Sequence, residues 1–83
     1  MKWYRLSADQ GRASAQSAVG WMYFNGWSVP QDYVRAHMWL SLAVAQGDQD
    51  AAGNRDYVVQ RMTPAQIAEA EKLAREWEPK ARR

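Results

Sequence analysis

Few residues in this chain could carry chemistry: there is one His, no Cys, and nine carboxylates. His37 has no second His or Cys at ligand spacing and no H-E-x-x-H around it, so neither a metal site nor a positioned general base is written there. A packing or helix-surface role is expected for it. The stretch "DQDAAG" from Asp48 begins like a calcium loop, but Ala52 and Val59 stand where oxygen ligands are required. Asp48 and Asp50 are instead expected to cap and charge-stabilise the start of a helix. No Ser lies in a G-x-S-x-G elbow, and no G-x-x-x-x-G-K loop is present to cradle phosphate. Glu69, Glu71 and Glu76 are spread around an amphipathic surface, the pattern of a solvated face. The expectation is therefore no catalytic residue, no metal and no cofactor.

The elements that would position any site are legible from periodicity and from a repeat. Shifting the chain by 36 positions pairs Trp3 with Trp39, Leu6 with Leu42, Gln10 with Gln46, Gly11 with Gly47 and Ala15 with Ala51, while Trp21 meets Tyr57. Periods of this length signal stacked supersecondary units, none of which can bury its apolar face alone. Within the unit, Ala15, Val19, Met22 and Tyr23 form one helical stripe, which Asn25-Gly26 ends, and Tyr33, Ala36, Leu40 and Ala43 form a second, ending at Gly47. Small residues at Ala15, Gly20, Ala36 and Ala43 mark where two backbones approach, and Trp39 can fill the space they leave. Gly20 inside a helix costs about 1 kcal/mol relative to Ala, which close helix contact would justify.

Helices are thus expected near residues 2–10, 13–25, 32–46, 49–61 and 64–78. The last has the clearest start, with Thr63 as N-cap, Pro64 as first helical residue, Gln66 completing a capping box, and Met62 and Ile67 at staple positions. Its apolar face of Ile67, Ala70, Leu73, Ala74 and Trp77 suits a terminal cap, and Glu71 and Arg75 have the spacing of an i to i+4 pair.

Composition excludes other classes. Eighty-three residues make one small domain, and 47% hydrophobic against 24% charged residues is a globular balance in which five Trp carry much of the packing. The formal charge of +2 comes from Lys80, Arg82 and Arg83; without them 8 basic residues face 9 acidic ones, so no basic stripe is available for nucleic acid. No apolar run is long enough to cross a bilayer and no leader is evident, so the chain as given reads as soluble and cytoplasmic.

In "ASAQSAVGWMYFNGWSVPQDYVRAHMWLSLAVAQGD" the residues Ala15, Gly20, Tyr23, Gly26, Val29, Asp32, Tyr33, Ala36, Trp39, Ala43 and Gly47 resemble the Sel-one-like repeat, a relative of the tetratricopeptide repeat. The resemblance implies an all-α, alpha-alpha superhelix of five helices with a C-terminal capping helix. On this reading residues 1–79 are a single domain: a partial repeat at 2–12, a full repeat at 13–47, a partial repeat at 48–62, a capping helix at 63–78, and a basic tail at 80–83. It implies a bacterial source, and exported as well as internal relatives. A cysteine-rich subgroup is associated with beta-lactam binding, but this chain lacks those cysteines. Two positions depart from the pattern: Trp27 and Ser28 replace a charged residue and a second Gly, and Asp56 stands where Gly20 stands in the complete unit, making close packing there doubtful.

The expected function is a non-catalytic scaffold or adaptor that binds a protein or peptide, without nucleic acid or membrane. In related solenoids the first helix of each pair lines the concave side, which would present Gln16, Ser17, Trp21 and Phe24, followed by Arg55 and Val59. Trp21 and Phe24 have two readings that the sequence leaves open, a peptide anchor or packing against the neighbouring repeat. Trp27 has the same two, with burial against the adjacent turn preferred. The N-terminal helix, by comparison with residues 33–46, lacks its first turns and its partner, so Trp3 and Leu6 would be uncovered and favour a homo-oligomer. The alternatives are an enzyme or enzyme subunit with a polar pocket around His37, or the capping fragment of a longer repeat array.

Overall fold

The structure is a computed structural model that describes residues 2–77, all helix and connection, with no strand among them. The helices are α1 (Lys2–Asp9), α2 (Ala13–Asn25), α3 (Tyr33–Ala45), α4 (Gln49–Val59) and α5 (Pro64–Glu76). The end of the last expected helix, at residue 78, and the basic tail lie outside the described residues.

Differences from the expected helix ends have local causes. Asp32 stays extended as the N-cap of α3, its carboxylate accepting from the Arg35 N–H at 3.1 Å. α4 stops at Val59 because the Arg61 and Met62 N–H groups turn back onto the Val58 and Val59 carbonyls. Asp48 caps α4 by accepting from the Ala51 N–H at 3.1 Å, and α5 opens with the full capping box of Thr63 and Gln66.

The repeated wording folds into a repeated backbone. Gly11 and Gly47 take φ of 91° and 93°. Around the first, the N–H groups of Gln10 and Arg12 bond the Ser7 carbonyl and that of Gly11 bonds Ala8; around the second, Gln46 and Asp48 bond Ala43 and Gly47 bonds Val44. The two turns match bond for bond across 36 residues. They differ at the next helix start, where Asp48 supplies a cap and Arg12 supplies none.

The loop from α2 to α3 is pinned by the orphan carbonyls of α2. Met22 O accepts from Gly26 and Trp27, Tyr23 O from the Asp32 N–H at 2.9 Å, and Phe24 O from Gln31 Nε2 at 2.9 Å. Gly26 closes the helix at φ 73°, and Ser28 follows at φ 64°. A side chain in the left-handed region costs about 1 kcal/mol, so Ser28 is strained at the position where the resembled pattern places Gly. These two turns throw Trp27 outward, 57% exposed. The expected burial of Trp27 is thereby corrected.

α3 is the centre of the packing, with α2, α4 and α5 laid against it and α1 against α2. A Cβ on Gly20 would sit 2.9 Å from Leu40 Cγ and 3.0 Å from the Ala36 carbonyl oxygen, so α2 and α3 meet backbone to side chain with no spare room. At the equivalent position of the next unit, Asp56 is exposed, and α5 lies on α3 instead of pairing along α4. A carboxylate cannot be pressed against a carbonyl oxygen, so the hairpin geometry of α2 and α3 is not repeated.

Two apolar clusters flank α3. Phe24, Ala36, Leu40, Ala43, Ala51 and Val58 form one, and Ala8, Ala15, Val19, Met38 and Trp39 form the other. Trp39 is 1% exposed; Arg5 lies over its ring at 5.2 Å and Trp77 meets it edge-on at 5.8 Å. Its repeat mate Trp3 is 82% exposed, with Leu6 at 50%, so α1 does lack cover. On α5, Ala70 is buried and Ile67, Leu73 and Ala74 are half-buried, as its apolar stripe requires. Glu71 and Arg75 do not form the ion pair their spacing allows; Glu71 instead acts electrostatically on His37.

The two helix-interior glycines at positions 20 and 53 should respond oppositely to Ala. Nothing lies within 4 Å of a Cβ built on Gly53. Gly53→Ala should therefore raise the urea-derived unfolding free energy by about 1 kcal/mol, whereas Gly20→Ala should lower it by about 1–2 kcal/mol through overpacking. An unchanged or more stable Gly20→Ala protein would contradict the close contact.

Candidate interaction surface

Aromatic residues at helical spacing build the main surface feature. Trp21 and Phe24 are three apart on α2, hence neighbours on its surface, and Tyr57 comes from the matching position of α4. Phe24 is 8% exposed and forms the floor: Trp21 stacks on it with ring centroids 5.0 Å apart and planes 12° apart, Tyr57 covers it at 5.4 Å and Tyr33 at 5.5 Å. Above the floor Trp21, half-buried, and Tyr57, 44% exposed, stand 6.2 Å apart. Consecutive units thus place two aromatic side chains edge by edge on one face.

Arg61 closes one end of that face. Its Nη2 donates to the Tyr57 hydroxyl at 3.1 Å, and its guanidinium lies 4.3 Å from the Tyr57 ring centroid and 5.6 Å from that of Phe24. Neither Tyr57 nor Arg61 was among the residues the sequence singled out for this face. The 36-residue shift carries the signal, since it maps Trp21 to Tyr57 and Asn25 to Arg61.

The other expected contact residues do not all gather here. Gln16 is fully buried, its amide donating to the Ala8 carbonyl at 3.4 Å and its carbonyl accepting from Gln46 at 2.8 Å, so it ties the ends of α1 and α3 to α2 and offers nothing to a partner. Phe24 is core, because the rings of Trp21, Tyr33 and Tyr57 close over it. Arg55 lies two residues from Tyr57 and so points away from it; its Nη1 donates to Ser41 Oγ at 3.4 Å on α3. Ser17 is half-buried on α2, and Trp27 stands exposed on the loop after α2. Of the six expected residues, Trp21, Ser17 and Trp27 keep accessible surface outside the α3 contact.

His37 is 3% exposed, and its Nδ1 lies 3.3 Å from Ser41 Oγ one turn along the same helix. Arg55 from α4 and Glu71 from α5 flank it electrostatically. A substrate could reach the ring only by displacing one of those helices, so the arrangement is a buried polar contact that ties α4 to α3. Burial chiefly, and the Arg55 charge after it, push the His37 pKa below its ordinary value of 6.5, against the opposing pull of Glu71.

No metal-holding group of three or more His, Cys, Asp or Glu residues occurs among the described residues, and no described helix is long and apolar enough to cross a membrane. The fold and the exposed aromatic face define a helical-repeat module of the kind that generally mediates protein–protein contacts. The Sel1 repeat family model matches residues 1–11 and 13–48, more than half of the chain, and the protein belongs to the Sel1 repeat family. Its all-helical solenoid fold is that of the family. A search of the curated proteins found no match.

A lowered pKa has a definite sign for stability. Above pH 6.5 His37 is neutral in both states; below it the unfolded chain takes up a proton that the folded one resists, so stability falls with pH. Between pH 7.5 and 5.5 the wild type should lose more unfolding free energy than His37→Gln, as read by urea titration. Parallel losses in the two proteins would contradict a buried neutral His37.

Proposed function

We propose that this protein is a non-catalytic scaffold that holds a segment of another protein on the face formed by α2 and α4, the side expected to be concave in such a stack. The observation that carries the proposal is the pair Trp21 and Tyr57, supplied by matching positions of consecutive units and left partly open above a closed aromatic floor. Large aromatics contribute heavily to binding because they desolvate much area at small entropic cost. Phe24 and Tyr33 hold the pair in place beforehand, which lowers the cost of ordering the site on association. Family membership supports the same reading, since Sel1 repeats are generally non-catalytic scaffolds.

The test uses a synthetic array of random decapeptides probed with the whole chain. Peptides should be retained, and Trp21→Leu, which keeps an apolar cover over Phe24, should weaken them by roughly tenfold or more while leaving the helical circular-dichroism spectrum intact. No retained peptide, or retention indifferent to Trp21→Leu, would count against this face.

A further inference from the structure

The same face also carries features that its packing does not explain, and they define the chemistry of what binds. Arg61 has five N–H donors, of which two are used, Nη2 on the Tyr57 hydroxyl at 3.1 Å and Nη1 on the Tyr57 carbonyl at 3.4 Å. It has no carboxylate partner among the described residues. The guanidinium is nonetheless held flat by Tyr57 and Phe24, so its remaining donors form a fixed fork whose ordering entropy is already lost. α2, which forms the other wall, has no charged residue at all. The single cation on an otherwise apolar and amide-lined wall lacks a complement within the molecule.

Gly53 supplies a second observation. It is exposed in the interior of α4, one turn before Tyr57 on the same face, and no atom lies within 4 Å of where its Cβ would be. Unlike Gly20, it gains no internal contact in return for the roughly 1 kcal/mol it costs the helix. A missing side chain at the surface of a groove lets another backbone come close.

Resting on the interaction reading above, we infer that the occupant is an extended acidic peptide segment: its backbone crosses α4 at Gly53, an apolar side chain lies against Trp21 and Tyr57, and an Asp or Glu side chain is clamped by Arg61. Gly53 and Arg61 are separated by about 12 Å along α4, which an extended chain covers in about four residues. The acidic residue therefore follows or precedes the crossing point by three or four positions, with the apolar residue between. A fork of free N–H donors suits a carboxylate bidentately, and its contribution is sensitive to salt.

The experiment probes the array of random decapeptides, acetylated and C-terminally amidated so that only side chains can supply a carboxylate, beside a second array with free C-termini. Retained amidated peptides should share an Asp or Glu three to four residues from a common backbone position, with an apolar residue between. Arg61→Gln should weaken them by roughly tenfold, as should replacing their acidic residue by its amide, and raising the salt should narrow both differences. Gly53→Ala should weaken them also while making the protein more stable, a combination that a merely structural glycine would not produce. Retained peptides that need Trp21 but are indifferent to Arg61→Gln and to their own acidic residues would overturn this inference and leave the scaffold reading standing. Retention confined to peptides with free C-termini would overturn the side-chain assignment, and retention of none would overturn both readings.

Discussion

A side chain on Gly20 would strike Leu40 and the Ala36 carbonyl, and this closeness of α2 to α3 governs how everything else is placed. With α2 seated that tightly, the hairpin becomes one rigid body, and α3 is left with two further flanks, which α4 and α5 take. The arrangement is economical for a chain of 83 residues, because a single central helix lets two apolar clusters share the same wall. Trp39 fills the side facing α1 and α5, and Leu40 the side facing Gly20. Where the sequence withholds the glycine, at Asp56, the stack stops reproducing itself and α5 crosses onto α3 as a cover.

The face of α2 and α4 inherits its geometry from that contact. Both helices are positioned by α3, so the distance between Trp21 and Tyr57 is a consequence of where α3 holds each one, and the 36-residue period brings chemically similar side chains into register. Phe24 converts this coincidence of register into a rigid site by filling the space beneath both rings. Stiffness in the floor and openness above it are what a preorganised interaction surface requires. The same packing makes His37 inaccessible, since the helices that create the face are the ones that close over the imidazole on the other side of α3.

Most of the fold was legible before any coordinates. Periodic stripes, Gly26 and Gly47 as helix stops and the Thr63 capping box fixed five helices to within one or two residues, because these signals are local and act through the backbone. The packing role of Gly20 was also readable, since a glycine inside a helix requires a reason. The site was less so. Gln16 reads as a surface amide, and only the fold reveals that the end of α1 and Gln46 converge on it. Phe24 and Trp21 look alike on a helical wheel; which one is floor and which is rim depends on Tyr33 and Tyr57, which arrive from other helices. Arg55 was placed on the aromatic face by proximity in sequence, although a step of two residues turns a side chain to the far side of a helix. The repeat shift would have given Tyr57 and Arg61 in its stead, so that signal was present and unused.

Native-state hydrogen exchange tests the central role of the α2 and α3 contact most directly, because it orders the helices by the free energy needed to open each one. Amides in the middle of α2 and α3, around Gly20 and Leu40, should exchange slowest and only with global unfolding, while those of α1 and α5 open earlier. Equal or greater protection in α1 or α5 than in α3 would contradict the account.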